Sequence, residues 1–373
     1  MSAVRTMSDG LRIVHVYKGY PPERGGIEGH IDVLTRLLAQ QGLRPEVLCT
    51  RPVGAPATEE RNGVRVHRCS APVTLASTPV PPGLPPALRR SDAEIIHLHF
   101  PWPPNEIAWV LGGRGRPLVV TAHCEVVRYP VLARLLTPLT QAVLRAARRI
   151  LISGEFMRAA PVLATHRERV QLIRFGVDLD RFRPDPTAPD PLPSIAHPRI
   201  VFVGQLRHYK GLPVLAAALA RLPHAQLIVV GDGPERPSLE AALQAHGCRA
   251  RAHLLGALGD DPLIRVLQTA DAAVLPSTSR AEAFGLSIAE AQACGLPAVT
   301  TEVGTGTAHT VADGVSGRVV RPGDPDALAE ALEWCLAPAH APARRAAARA
   351  HAEATLCARR MASEVRDVYE QVR

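Results

Sequence analysis

The sequence predicts an α/β protein built from two doubly wound parallel-sheet domains that face a central cleft. Three observations carry that prediction. The chain has 373 residues, enough for about two domains of ordinary size. Short apolar runs alternate with amphipathic stretches, the pattern of buried strands crossed by helices. A proline-rich stretch interrupts the alternation near the middle, and past it the alternation restarts.

In the first half, Leu11–Val16 reads as a buried strand, and a glycine-bearing loop follows from Gly19 to Gly26. Ile27–Gln41 carries apolar residues at helical spacing: Ile27, Ile31, Leu34, Leu37 and Leu38. Further strands are expected at Glu46–Cys49, Val64–Arg68, Ile95–Leu98, Leu118–Ala122, Ile150–Ser153 and Val170–Ile173. The segment 130–148 reads as a helix that Pro138 kinks or breaks. Residues 183–198 hold Pro184, Pro186, Pro189, Pro191, Pro193 and Pro198 and read as a linker. Beyond it, strands are expected at Arg199–Val203, Gln226–Val230, Ala252–Leu255, Ala272–Leu275, Ala298–Thr301 and Gly317–Val320. The predicted division is 1–182, the linker 183–198, a second domain 199–340, and a helical tail 341–373 able to pack back on the first domain. In such sheets ligands bind beyond the carboxyl ends of the strands.

Composition narrows the function. The net charge of +8 favours anionic partners, but the basic residues are dispersed and no nucleic-acid motif is present. Seven cysteines without a C-x-x-C spacing read as reduced thiols, with no zinc site. Met1–Gly10 has no apolar signal region, and no run of about 18 apolar residues exists. The expectation is a cytoplasmic protein, at most peripheral at the inner face of a membrane.

Four loops after predicted strands carry chemistry-bearing residues. In Gly204–Gly211, Arg207 and Lys210 flank a turn that opens a helix, an arrangement suited to a diphosphate and equally to two solvated charges. In Glu282–Glu290, Gly285 permits close backbone approach, and the N–H groups at 285–287 open a helix. Taken alone, the two acids there fit an ordinary helix surface better. Gly25 and Gly26 form a strand-to-helix turn suited to phosphate or sugar, or a simple turn; they do not make a dinucleotide fingerprint. His123 ends a strand and faces the expected cleft, where it could serve a hydroxyl or a proton, though a structural histidine is the commoner case. His97 reads as structural, and His99 is open between the two roles.

Together these loops resemble glycosyltransferase family 4, whose members have two Rossmann-like domains in the GT-B arrangement. The resemblance runs over nearly the whole chain. It rests on Gly25–His30, Phe175–Asp178, Gly204–Gly211, Gly231–Pro234 and the eight-residue spacing of Glu282 and Glu290. It implies a metal-independent, retaining transferase with no cofactor. Arg207 and Lys210 would bind the donor diphosphate, with Gly204 and Gly231 in the adjoining turns. Phe284, Gly285, Leu286 and Ser287 would form the helix start that adds N–H donors. Glu290 would hold ribose hydroxyls, and Glu282 would meet the sugar hydroxyls. His123 would sit near the sugar and Gly26 near the phosphates. Gly256 and Ala257 would meet the base through backbone atoms. The family often has Asn where this chain has Phe175, which leaves that position's role open.

Arg207–Gly211 and Val303–Thr307 further resemble bacterial mannosyl- and rhamnosyltransferases of surface polysaccharide assembly. The implied partners are a nucleotide-sugar donor, with a GDP-sugar preferred over a UDP-sugar, and a glycan or lipid-linked acceptor. Asp178 and Asp180 superficially match a metal-binding D-x-D but lie far in sequence from the phosphate loops. Leu132, Leu135, Leu136, Leu139, Val143 and Leu144, interspersed with Arg134, Arg145, Arg148 and Arg149, fit either a helix resting on anionic lipid or a core-facing helix with a basic outer face. A nucleotide-sugar epimerase is the alternative on the same architecture.

Overall fold

A computed structural model describes residues 10–23, 25–75, 78–123 and 130–373, with the side chains of 130–133 outside the described set. The N-terminal segment before Gly10, and Cys124 to Tyr129, therefore lie outside it. Two compact units divide the chain. The first holds residues up to Arg174 together with Ala358–Arg373, and the second holds Phe175–Cys357.

The first unit runs β1 (Arg12–Val16), α1 (Gly26–Gln40), β2 (Arg44–Thr50), β3 (Thr58–Arg61), β4 (Val64–Cys69), β5 (Val73–Leu75), β6 (Thr78–Val80), α2 (Leu84–Arg90), β7 (Ile95–Phe100), α3 (Pro103–Gly112), β8 (Leu118–Ala122), α4 (Pro130–Ala146), β9 (Arg149–Ile152) and β10 (Val170–Leu172). Its eight-stranded sheet has the order β10-β9-β8-β7-β1-β2-β4-β3. Every pairing is parallel except the β3–β4 hairpin. That hairpin turns on Asn62 and Gly63, both with positive φ, the geometry a two-residue loop demands. The sequence reading missed β3 because Thr58–Arg61 is polar throughout and has no apolar period.

The second unit runs β11 (Arg199–Val203), α5 (Leu212–Ala220), β12 (Gln226–Val230), α6 (Arg236–Ala245), β13 (Ala252–Gly256), α7 (Asp260–Thr269), β14 (Ala272–Leu275), α8 (Leu286–Ala293), β15 (Ala298–Thr301), β16 (Gly317–Val320), α9 (Pro325–Leu336) and α10 (Ala341–Thr355). Its parallel sheet has the order β13-β12-β11-β14-β15-β16. Five of its strands match the predicted bounds; in β11, β12 and β14 the central residues are apolar and buried on both faces, which leaves no ambiguity of period. The last helix, α11 (Ala358–Val372), returns to the first unit. It buries Met361, Ala362, Val365, Val368, Tyr369 and Val372, an amphipathic stripe that packs on α1.

Within residues 183–198, Asp190 takes both terminal guanidinium nitrogens of the buried Arg199 at 2.8 Å, fastening the proline-rich stretch to the start of β11. The tail divides, with α10 in the second unit and α11 in the first. The helix expected over 130–148 ends at Ala146, so Arg148 and Arg149 lie beyond it and Arg149 opens β9.

Candidate functional site

Each sheet reverses its strand order once, between β7 and β1 in the first unit and between β11 and β14 in the second. Such switch points open a crevice at the carboxyl ends of the strands. Lys210 and Glu282 meet beside the second of these places, and His123 follows β8, next to the first.

In the second unit, Gly204 directly follows β11, Gly231 directly follows β12, and Gly256 ends β13. Gly204 N–H donates to Val230 O at 2.9 Å, and Gly231 N–H donates to Gly256 O at 2.7 Å, so each turn is bonded to the end of the neighbouring strand. A Cβ on Gly231 would lie 2.0 Å from Gly204 O, so only glycine fits there. Ala257, one residue on, is exposed.

The loop after β11 swings Lys210 under the loop after β14. The Tyr209 carbonyl accepts the Thr278 N–H at 2.8 Å. Gly211, at φ 69°, lies so close to Pro276 O that a Cβ would sit 1.9 Å from it. Lys210, nearly buried, places its ammonium 2.5 Å from the Glu282 carboxylate, which also accepts the Ser277 hydroxyl at 3.2 Å. Arg207 is exposed, its Nε 3.3 Å from Gln205 Oε1, and it meets Lys210 only through the backbone. The structure thus joins Lys210 to Glu282, while no described side-chain contact joins Arg207 to either or to residues 285–287.

Gly285 starts α8 in the left-handed conformation, φ 81°. Its neighbours were not foreseen. Thr305 Oγ1 donates to the Glu282 carbonyl at 2.6 Å and pairs with Thr307 Oγ1 at 2.7 Å, while Gly306 N–H donates to Ala283 O at 2.9 Å. Thr305–Thr307 therefore clamp the Glu282–Gly285 turn. The signal was the Gly-Thr-Gly-Thr run, noted in the sequence without a structural role. Phe284 is buried with its ring 5.4 Å from that of Phe175, so the residue that departs from the family's Asn packs against the start of α8. Leu286 and Ser287 are half-buried. Burial raises the Glu290 carboxyl to about 8, with the Asp260 charge adding to the rise and Arg181 opposing it. Asp178 of the D-x-D sequence accepts the N–H groups of Asp180 and Arg181 at 3.1 and 3.3 Å, a turn-capping role.

In the first unit, Gly25 caps α1 with no side-chain bond, and Gly26 is exposed. The concave side of this turn holds an acid: a Cβ on Gly25 would lie 2.1 Å from Glu28 Oε2. A carboxylate there suits a hydroxyl partner better than a phosphate. His123, at the end of β8, is buried and places Nε2 2.9 Å from His99 Nδ1. His15, His30 and His97 complete a cluster around them, and all five rings are buried. Burial lowers His15 and His30 to about 3, the His30 charge adding to the shift of His15. Burial first, then neighbouring rings, holds His97, His99 and His123 well below the ordinary value. The sequence reading left out His15, His30 and Tyr369; polar residues inside otherwise apolar strands were the available signal for His15.

Residues 24–181 match the family described as Glycosyltransferase Family 4, and residues 197–338 match that described as Glycosyl transferases group 1. The chain is 34% identical over 330 residues to the D-rhamnosyltransferase WbpZ of Pseudomonas aeruginosa, covering 87% of this chain and 86% of the relative. It is 31% identical over 341 residues to the O-antigen chain mannosyltransferase C of Escherichia coli, covering 86% and 88%. Its fold matches that of Anabaena Alr3699/HepE, solved in complex with UDP and glucose. The TM-score is 0.80 over 97% of this chain and 100% of that one, at 19% identity.

Proposed function

This chain belongs to glycosyltransferase family 4, with the GT-B fold, and on that premise we propose that it transfers mannose or a related sugar from a GDP-sugar to a glycan or lipid-linked acceptor, with retention and without a metal. The donor sugar follows from the relatives, which are a rhamnosyl- and a mannosyltransferase.

The observation that carries the mechanism is the Lys210–Glu282 pair at 2.5 Å, set beside the first turn of α8 at the switch point of the second sheet. Transfer breaks the bond between the anomeric carbon and the phosphate oxygen, and the electron pair leaves with the diphosphate. A resident cation and the unpaired N–H groups of a helix start can receive that charge in place of a metal ion. Arg207, on an exposed loop, closes on the diphosphate from solvent. Glu282 keeps Lys210 in place before the donor arrives and then serves the sugar hydroxyls. The acceptor oxygen bonds to the anomeric carbon on the face the phosphate leaves, and the departing phosphate takes the acceptor's proton. Glu290 serves the ribose hydroxyls, and Gly256 with Ala257 meets the base. In the first unit, His123 and the Gly25–Gly26 turn serve hydroxyls.

Donor turnover in EDTA tests the metal-free mechanism: unchanged rates are expected, and a loss restored by manganese would overturn it. A thermal-shift series with GDP-, UDP- and ADP-sugars tests the donor, with the largest rise expected for GDP-mannose.

No helix among the described residues is long and apolar enough to cross a membrane. On α4, Leu135 is 73% exposed beside the exposed Arg134, whereas Val143 and Leu144 are fully buried. We assign peripheral contact with anionic lipid to the first half of this helix. Sedimentation with anionic vesicles is the test, and no binding would remove it.

A further inference from the structure

Six buried groups of the first unit form one hydrogen-bonded line. His123 Nε2 lies 2.9 Å from His99 Nδ1. His99 Nε2 lies 3.0 Å from His15 Nδ1. His15 Nε2 lies 3.4 Å from the Tyr369 hydroxyl, which lies 2.6 Å from His97 Nδ1. His97 Nε2 lies 2.7 Å from Thr121 Oγ1. Five strand or strand-end residues and one residue of α11 are thereby joined across 354 positions of sequence. All are at most 3% exposed, so bulk water does not break the line.

We infer that this line has a single direction, with His97, His15, His99 and His123 all held as Nε2–H tautomers and His123 consequently presenting an unprotonated Nδ1, and that Tyr369 sets that direction. A neutral imidazole has one donor nitrogen and one acceptor nitrogen, so orienting one ring orients its neighbours. Tyr369 has one proton and two candidate acceptors. The 2.6 Å contact to His97 Nδ1 is a strong O–H···N geometry, and the 3.4 Å contact to His15 is a long one. A phenol is also a better donor to an imidazole lone pair than the reverse. The hydroxyl therefore donates to His97, whose Nε2–H donates to Thr121. The tyrosine oxygen then accepts from His15 Nε2–H, and His15 Nδ1 from His99 Nε2–H. His99 Nδ1 in turn accepts from His123 Nε2–H. The opposite direction would put the tyrosine proton into the longest link.

Burial keeps the rings neutral, as the lowered values above require. His15, His97 and His99 could also offer ligand atoms to a metal, since these lie within 4.8 Å of one another. The line instead occupies the Nδ1 lone pair of each with a proton donor. Its consequence for chemistry rests on the proposed role of His123: whatever faces Nδ1 must donate, which selects a hydroxyl over a phosphate oxygen. Tyr369 is in this sense a positioning residue acting from the C-terminal helix.

The test is a long-range proton–nitrogen correlation on the whole protein labelled with ¹⁵N-histidine, at neutral pH and without substrate, assigned by single His→Asn variants. Expected are Nε2–H patterns for all four rings, and the appearance of Nδ1–H signals at His15, His99 or His123 in Tyr369→Phe. An Nδ1–H tautomer or an imidazolium at any of the four in the native chain would overturn the inference. So would an equivalent of zinc by elemental analysis, or an unchanged pattern in Tyr369→Phe. If Tyr369→Phe does not fold, the native spectrum and the metal content alone decide. Turnover of His123→Ala is read separately: an unchanged rate removes His123 from the transfer while leaving the tautomer result to stand or fall on its own spectrum.

Discussion

At its switch point the first unit is lined by neutral rings, joined to one another and sealed from water. The second unit, at its own switch point, is lined by an ammonium, a carboxylate and a row of glycines. Both crevices come from the same reversal of strand order. Topology decides where a ligand can sit, and the side chains on the strand ends decide which charge it can carry. The second crevice suits a group that becomes more negative as it leaves, and the first suits hydroxyls. The glycines differ in a related sense: Gly211 and Gly231 of the second unit press against backbone oxygens, whereas Gly25 faces the end of a movable side chain.

The largest effect should come from removing the cation of the charged crevice. Lys210→Ala is expected to lower kcat by about 10²–10³, as deletion of one preorganised donor does. Steady-state kinetics with a GDP-sugar measure it, and an unchanged kcat would make the two crevices equivalent in a way the structure denies. Next is the glycine contrast. Gly231→Ala, which forces a Cβ to 2.0 Å from Gly204 O at φ 136°, should cost about 3 kcal/mol in denaturant unfolding. Gly25→Ala, where Glu28 can swing aside, should cost under about 1 kcal/mol. Equal losses would erase the distinction between the turns.

Thr305→Val sharpens the comparison by loosening the charged crevice while keeping its charges. It should cost about 1–2 kcal/mol through the lost bond to the Glu282 carbonyl and raise the KM for the donor. The smallest effect concerns Glu290. Its folded value of about 8 lies above the usual carboxylate value of 4.5, so the native state holds a proton that the unfolded chain has released. Stability from this group is full below that usual value and falls as pH rises towards about 8. Glu290→Gln should therefore match the native chain at acid pH and exceed it in stability at mildly alkaline pH. Calorimetry at the two pH values reads this, and a variant less stable at alkaline pH would reverse the assignment of burial as the cause. Activity should fall in the same variant.

Much of the fold was legible one segment at a time. Arg199–Val203, Gln226–Val230 and Ala272–Leu275 are apolar, short and bounded by turn residues, so they could be read to the residue. The Gly204–Gly211 and Glu282–Glu290 loops could be found because glycines, cations and acids stand at strand-to-helix turns. Thr58–Arg61 escaped because nothing apolar marks it, and in the stretch 183–198 proline says where helices stop and nothing about what the segment packs on. The Asp190–Arg199 pair is a contact of that kind, made with the start of β11.

By itself the sequence determined the parallel α/β class and the positions of the glycine-bearing turns, because periodicity and turn chemistry act over a few residues, and its motifs carried the resemblance to the family. Only the tertiary structure decided that Lys210 meets Glu282 72 positions away, that Thr305 clamps the turn after Glu282, and that Tyr369 closes a line of histidines begun in β1. Those pairings follow from strand order and from the helix that returns to the first sheet. They depend on which chain ends are brought side by side, and no local pattern of residues encodes that adjacency.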